Sequence, residues 1–168
     1  MVYKMMIYVD GACRRNGSDN AIGAAAAVHK KRHGTKPHCW ARRLEAYESP
    51  TNQRAEIIAI ILGLEMALDK HQQLRSNPVL DITIHSDSRY AVNCMNIWVE
   101  KWIQNNWINA EGNEVANRDL IEEASDLDDK LQDLGDVTYT WIPRSRNTDA
   151  DRHCNEVLDD MEKAKDYQ

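Results

Sequence analysis

Phenylalanine is absent from the 168 residues, so five tryptophans carry much of the aromatic bulk. No apolar run approaches the roughly 20 residues of a membrane-spanning helix. "AIGAAAAV" is too short and its residues are too small. No basic segment followed by an apolar stretch and a cleavage site stands at the N-terminus, so no secretory signal is expected. The four cysteines, Cys13, Cys39, Cys94 and Cys154, are scattered and form no CxxC. That excludes a recognisable zinc site or disulfide frame and points to a reducing intracellular compartment. Positive charge is in deficit, with 21 Lys and Arg against 27 Asp and Glu and a net charge of −6. Such a balance disfavours a non-specific nucleic-acid binder but leaves room for a local basic patch. Internal repeats, low-complexity tracts and Pro/Gly/Ser-rich linkers are all missing, so 1–168 is read as one domain with a real core. Hydrophobic content of 42% and charged content of 29% agree with a globular chain.

What is present reads as alternating strands and helices. Residues 5–10, 21–29 and 39–46 look like strands, and their short connections favour an antiparallel meander. The period then changes. "SPTNQRAEIIAIILGLEMALDKH" is helical, with start signals at Pro50 and at Thr51 or Asn52, and Ile57, Ile60, Ile61, Leu64 and Leu68 at helical spacing. Residues 80–87 read as a fourth strand. Residues 88–107 read as helix, with Trp98 and Trp102 one turn apart, and an amphipathic helix from Arg118 is stopped by Gly135. Residues 136–143 read as a fifth strand, and the segment from Asp149 as a last helix. A helix between strands three and four requires a crossover, so the sheet is mixed.

The carboxylates draw attention next. Asp10 is read at the end of strand one and Asp87 at the end of strand four. Side by side and parallel, those strands would present both acids at one sheet edge, where open α/β sheets place ligands. An Asp after a strand can also simply open a turn. Glu56 and Asp151 fall near helix N-termini, where an acid complements the helix dipole without any further role. Clustered carboxylates raise one another's pKa, and a divalent cation relieves that. Four acids without a His or Cys ligand set suit Mg²⁺ better than zinc, and a pair of such ions can clamp the attacking and leaving oxygens of a phosphodiester.

Six segments carry a resemblance: "VDGACRRNG", "TNQRAEI", "SDSRYAV", "WVEKWIQNNW", "EVANRDL" and "NTDADRHCNEVL". In order and spacing they resemble type 1 ribonuclease H from about residue 5 to residue 160, in the branch with a helical handle, here near 98–117. The resemblance implies an α/β ribonuclease H-like fold. Its sheet would be mixed and five-stranded, with the first three strands antiparallel and helices flanking it. It implies a monomer that hydrolyses the RNA strand of an RNA–DNA hybrid with two Mg²⁺ ions, Mn²⁺ substituting. Asp10, Glu56, Asp87 and Asp151 match the metal-binding catalytic acids. Asn16, Asn52 and Gln53 match hybrid-contacting positions, the latter two in the minor groove, where ribose hydroxyls distinguish RNA from DNA. Thr51 and Asn117 match part of a DNA-phosphate pocket, and Tyr90 and Trp98 match the DNA channel. Two other readings compete: a non-catalytic nucleic-acid-binding domain on this fold, and another nuclease of the superfamily.

The chain also departs from the pattern. The Gly-His loop before the fourth acid is missing, and Arg144 or Arg146 of "IPRSRN" is expected to stand in, unless that loop is a solvated turn. "HCNEVL" offers Asn155 as a rival for the fourth acid, but the N-x-x-A-D pattern from Asn147 favours Asp151. The handle holds Lys101 as its only cation against Glu100, Glu111 and Glu114. Ser49 stands where some relatives place an arginine. Arg14, Arg15, Lys30, Lys31, Arg32 and Lys36 are candidates to compensate, or are ordinary surface charge. His85 is read as packing or hydrogen bonding, and His29, His33 and His38 as surface groups.

Overall fold

The computed structural model describes residues 1–31 and 35–166; Arg32 and His33 lie outside the described residues. Strands β1 (Val2–Arg14), β2 (Ile22–Lys30) and β3 (His38–Arg43) precede helix α1 (Asn52–Gln73). Strand β4 (Val79–Ser86) leads into α2 (Arg89–Asn93), a π-type stretch at Cys94–Trp98, and α3 (Val99–Gln104). Helix α4 (Arg118–Gln132), strand β5 (Gly135–Trp141) and helix α5 (Thr148–Asp166) complete the order. The five strands form one sheet in the order β3-β2-β1-β4-β5. Pairing is antiparallel from β1 to β2 and β2 to β3, and parallel from β1 to β4 and β4 to β5. The mixed sheet with an antiparallel first half is the expected one.

Helices cover both faces of β1 and β2. Helix α1 packs on β1, β2 and β4, while α5 packs on β1, β2 and β3. That sandwiching explains the alanine run: Ala24–Ala27 are fully buried, and their small side chains let both helices approach. Helix α1 also supports α4 on its outer side, so it is buried almost all round from Ile57 to Leu64, as a helix without a polar face must be. Met5, Ile7, Ile82 and Ile84 are fully buried beneath it, each worth about 1.5–3 kcal/mol of burial.

Three expectations are corrected. Strand β1 does not end at Asp10 but runs to Arg14, because β2 pairs with it from Asp10↔Ala26 to Arg14↔Ile22. The helix expected over 88–107 widens into π-type turns at Cys94 and ends at Gln104, and Asn106 and Trp107 take left-handed backbone conformations. His29 is buried rather than at the surface, and burial pushes its pKa down to about 4, so the imidazole stays neutral. His85 behaves as read: it stacks on Tyr8 at 4.3 Å, and its Nδ1 faces the Ile7 carbonyl at 3.2 Å.

Candidate active site

The parallel register of β1 and β4 ends at Val9↔Ser86, so Asp10 and Asp87 follow as neighbours at the point where β4 stops. Strand β4 stops because Ser88 opens α2, its hydroxyl accepting the Ala91 N–H at 3.1 Å. The same hydroxyl donates to Glu56 Oε2 at 2.6 Å. Glu56 arrives from the start of α1, and Gly11 makes that approach possible. A Cβ on Gly11 would stand 2.1 Å from the Ala55 carbonyl oxygen and 2.6 Å from the Glu56 nitrogen. Glycine is therefore required where α1 crosses β1.

Asp151 comes from the first turn of α5, which is tied to β1 twice. Asn147, buried just before the helix, donates through Nδ2 to the Val9 carbonyl at 2.8 Å. Farther along, Arg14 donates to Asp159 at 2.8 Å, Glu162 at 3.1 Å and Asn155 at 3.3 Å. Asn155 in turn donates to the Asp151 carbonyl at 3.0 Å. It serves the helix framework, while the Asp151 side chain is the one that meets Asp10.

Asp10, Asp87 and Glu56 are all pushed upward by their surroundings. Burial first, then the charge of Asp87 and the Asp151 carboxyl within hydrogen-bonding reach, push Asp10 up to about 8. Burial raises Asp87, although the Arg144 guanidinium and the Asn147 amide pull it back. Burial also raises Glu56, opposed by the Ser88 hydroxyl. Asp87 Oδ2 is buried without a hydrogen-bond partner, as is Asn147 Oδ1. A buried carboxylate oxygen without a hydrogen-bond partner, among other carboxylates and with no His or Cys ligand set, suits a hard divalent cation. The acids meet in pairs; among the described residues no three His, Cys, Asp or Glu side chains already form a closed ligand set.

The remaining named residues fall into two groups beside α1. Thr51 caps the helix, accepting the Arg54 N–H at 3.1 Å. Asn52 accepts the Cys13 N–H at 3.0 Å, and its own N–H donates to Asn16 at 3.3 Å. Asn117 donates to Gln53 at 3.2 Å and to the Tyr90 hydroxyl at 2.9 Å. Tyr90 and Trp98 lie 6.2 Å apart between ring centres. With Gln53, Trp102 and Val115 they line a groove of about 370 Å³. Trp98, Trp102 and Trp107 form a chain of tilted rings at 5.8 and 6.3 Å, and Trp107 is buried, so much of this series is packing. Arg144 is exposed, with Nε 3.9 Å from Asp87 Oδ2. Arg146 is exposed in the same turn.

Four neighbours of the acids went unread in the sequence: Ser88, Asn147 as a strand anchor, Arg89 and Trp141. Ser88 was detectable as a helix cap after a strand. The others depend on pairings across the sheet that no local pattern reveals.

The family model described as RNase H matches residues 3–163. The ribonuclease H of Clostridium botulinum is 29% identical over 164 residues, covering 94% of this chain and 97% of its own length. That of Francisella tularensis subsp. novicida is 30% identical over 165 residues, covering 94% and 93%. The crystal structure of LC11-RNase H1 in complex with an RNA/DNA hybrid aligns with a TM-score of 0.66 at 21% identity, over 94% of this chain and 98% of the other. The sheet order, the acids at its centre and the nearly full-length match lead to one conclusion: this chain belongs to the ribonuclease H family.

Proposed function

We propose that the chain hydrolyses the RNA strand of RNA–DNA hybrids by a two-metal-ion mechanism, with Asp10, Glu56, Asp87 and Asp151 as the ligands of two Mg²⁺ ions or of Mn²⁺ in their place. The observation that carries the proposal is the convergence of acids from β1, α1, the end of β4 and α5: burial, Asp87 and Asp151 together push Asp10 up to about 8, and Asp87 also faces Glu56. When bound, such ions supply an activated water and stabilise the leaving oxygen. The chain's own residues bind and orient. Ser88 fixes Glu56, and Asn147 fixes the Val9–Asp10 backbone, so the acids stand on rigid supports. Asn52 and Gln53, at the start of α1, face the minor groove and its ribose hydroxyls, and Asn16, which accepts the Asn52 N–H, contacts the hybrid near the acids. Thr51 and Asn117 receive a DNA phosphate, and Tyr90 and Trp98 line the DNA-strand groove. Arg144 and Arg146 take the place of the missing loop histidine and meet the charge of the cut strand.

The hybrid as partner is supported by the family and by a structural relative solved with one. In this reading 1–168 is one catalytic domain with its handle near 98–117, acting as a monomer inside the cell. Four free cysteines agree with a reducing compartment. No described helix is long and apolar enough to cross a membrane. The test is cleavage of an RNA–DNA hybrid, single-stranded RNA, double-stranded RNA and DNA by the wild type and by Asp87→Asn. Mg²⁺-dependent cutting of the hybrid alone, lost in Asp87→Asn, is expected. Binding without cutting would favour a non-catalytic domain, and cutting of DNA another superfamily nuclease.

A further inference from the structure

Strand β5 is the outermost strand of the sheet, so one row of its backbone groups faces no other strand. Among the described residues two side-chain amides reach carbonyls of this strand. Gln132, five positions before, meets the Val137 carbonyl at 3.4 Å. Asn96 comes from the helical rod that follows β4, and its Nδ2 donates to the Tyr139 carbonyl at 3.0 Å. The Tyr139 side of that bond is fixed: the residue is buried, and its hydroxyl donates to Asp128 on α4 at 2.7 Å. Asn96 sits in the π-type stretch, where the Val99 N–H donates to the Cys94 carbonyl, five residues back. Such a turn inserts one extra residue into the helical phase. In an unbroken α-helix Ile97 would stand about 20° from the direction of Tyr90, and Trp98 about 80°. The extra residue moves the phase by one. Trp98 takes the place beside Tyr90, with ring centres 6.2 Å apart, and Ile97 is left 48% exposed.

We propose that Asn96 is a positioning residue for hybrid binding: its bond to the edge of β5 holds the π turn, and the π turn holds Trp98 against Tyr90 as a wall of the DNA-strand groove. The proposal rests on the hybrid-nuclease reading, which supplies the occupant of that groove. With the extra residue counted, Asn96 stands about 140° around the rod from Tyr90. The bond therefore fixes the turn from behind and leaves the groove free. Helix α3 leans on the π stretch more than on any strand or other helix, so the phase set at Cys94–Trp98 is inherited by Trp102 and the rest of α3. π turns are rare because the α turn is the more favourable form. Once Asn96 lets go, the turn relaxes or moves along the rod, and Ile97 rotates toward Tyr90. An aliphatic side chain then replaces the indole ring in the groove wall.

The experiment compares Asn96→Ala, Asn96→Asp and Asn96→Gln with the wild type. Aspartate keeps the shape and loses the N–H donor, whereas glutamine keeps the donor. One hydrogen bond of ordinary net strength is a factor of about five in an equilibrium. At saturating Mg²⁺ the KM for a hybrid is expected to rise about fivefold in Asn96→Ala and at least as much in Asn96→Asp, with kcat within about twofold of wild type. Asn96→Gln should stay close to wild type. A merely structural loss lowers the folded fraction, which reduces the apparent kcat and leaves KM alone. In the free protein the nuclear Overhauser contact between the Tyr90 and Trp98 rings is expected to vanish in Asn96→Ala and to persist in Asn96→Gln. In a Trp98→Ala background Asn96→Ala should raise KM no further. An unchanged KM in Asn96→Ala would overturn the proposal, as would a raised KM with the ring contact intact, or a further rise in the Trp98→Ala background. A wild type that cuts no hybrid would defeat the nuclease reading instead; the ring contact is read without substrate, so the two failures stay separate.

Discussion

Gly11→Ala is the sharpest single perturbation of the acid cluster, although it replaces no acid and meets only the backbone of Ala55 and Glu56. The added methyl would stand 2.1 Å from the Ala55 carbonyl oxygen, whereas real contacts of this kind rarely fall below 3.0 Å. Backbone cannot rotate out of the way, so α1 or β1 must shift by about 1 Å. Overpacking of this kind costs about 1–3 kcal/mol, and a rigid carbonyl opposite the methyl places this site at the upper end. The same displacement carries Glu56 away from Asp87 and from the Ser88 hydroxyl. A misplacement of about 1 Å in a reacting constellation can cost 100-fold in rate. Two measurements bear on it: urea unfolding in EDTA, and the Mg²⁺ dependence of hybrid cleavage. A loss of about 3 kcal/mol with a raised Mg²⁺ requirement is expected. Stability within about 0.5 kcal/mol of wild type and an unchanged Mg²⁺ curve would refute the argument that α1 is seated through Gly11.

Three further outcomes follow from the site. Asp10 titrates at about 8 in the folded chain against 3.8 when free, so between those values the folded state holds the extra proton and metal-free stability falls as pH rises. Urea melts in EDTA at pH 5.5 and 8 should show that fall in the wild type and a flatter response in Asp10→Asn; equal slopes would contradict it. Asp151→Asn should abolish hybrid cleavage, whereas Asn155→Ala, which removes only the bonds to Arg14 and the Asp151 carbonyl, should cost about 1 kcal/mol of stability and keep activity. The reverse pattern in paired assays would return the fourth-acid role to Asn155. Replacing Glu100, Glu111 and Glu114 with Lys should tighten hybrid binding and steepen its salt dependence, and identical salt slopes would mean that the handle never nears the substrate.

The sheet, its crossover and the four acids were legible because each leaves a local mark: an apolar run, a period change, an acid where a strand or helix turns over. Asp10 shows where local marks mislead. "DGACR" has the composition of a turn, yet it is strand, since the partner that extends it is the alanine run of β2. His29 ends a run that is buried on both faces, and one-sided alternation gives no hint of a second covering helix. Trp107 closes the helix expected over 88–107, but it turns back through a left-handed backbone, its N–H bonded to the Trp102 carbonyl at 2.7 Å. The Arg89 guanidinium lies 3.8 Å over the Trp141 ring, a pair that spans residues more than fifty positions apart and exists only once β5 is in register with β4.

Arg14 links the first strand to the last helix across 148 positions of chain, through Glu162. This gives the acid cluster an order of assembly during biosynthesis. A nascent chain made only as far as β5 already carries Asp10, Glu56 and Asp87, and its central strand already has both neighbours to pair with. Asp151 and the acids that grip Arg14 are still to come. Until α5 emerges and docks, the nascent polypeptide carries an incomplete set of acids.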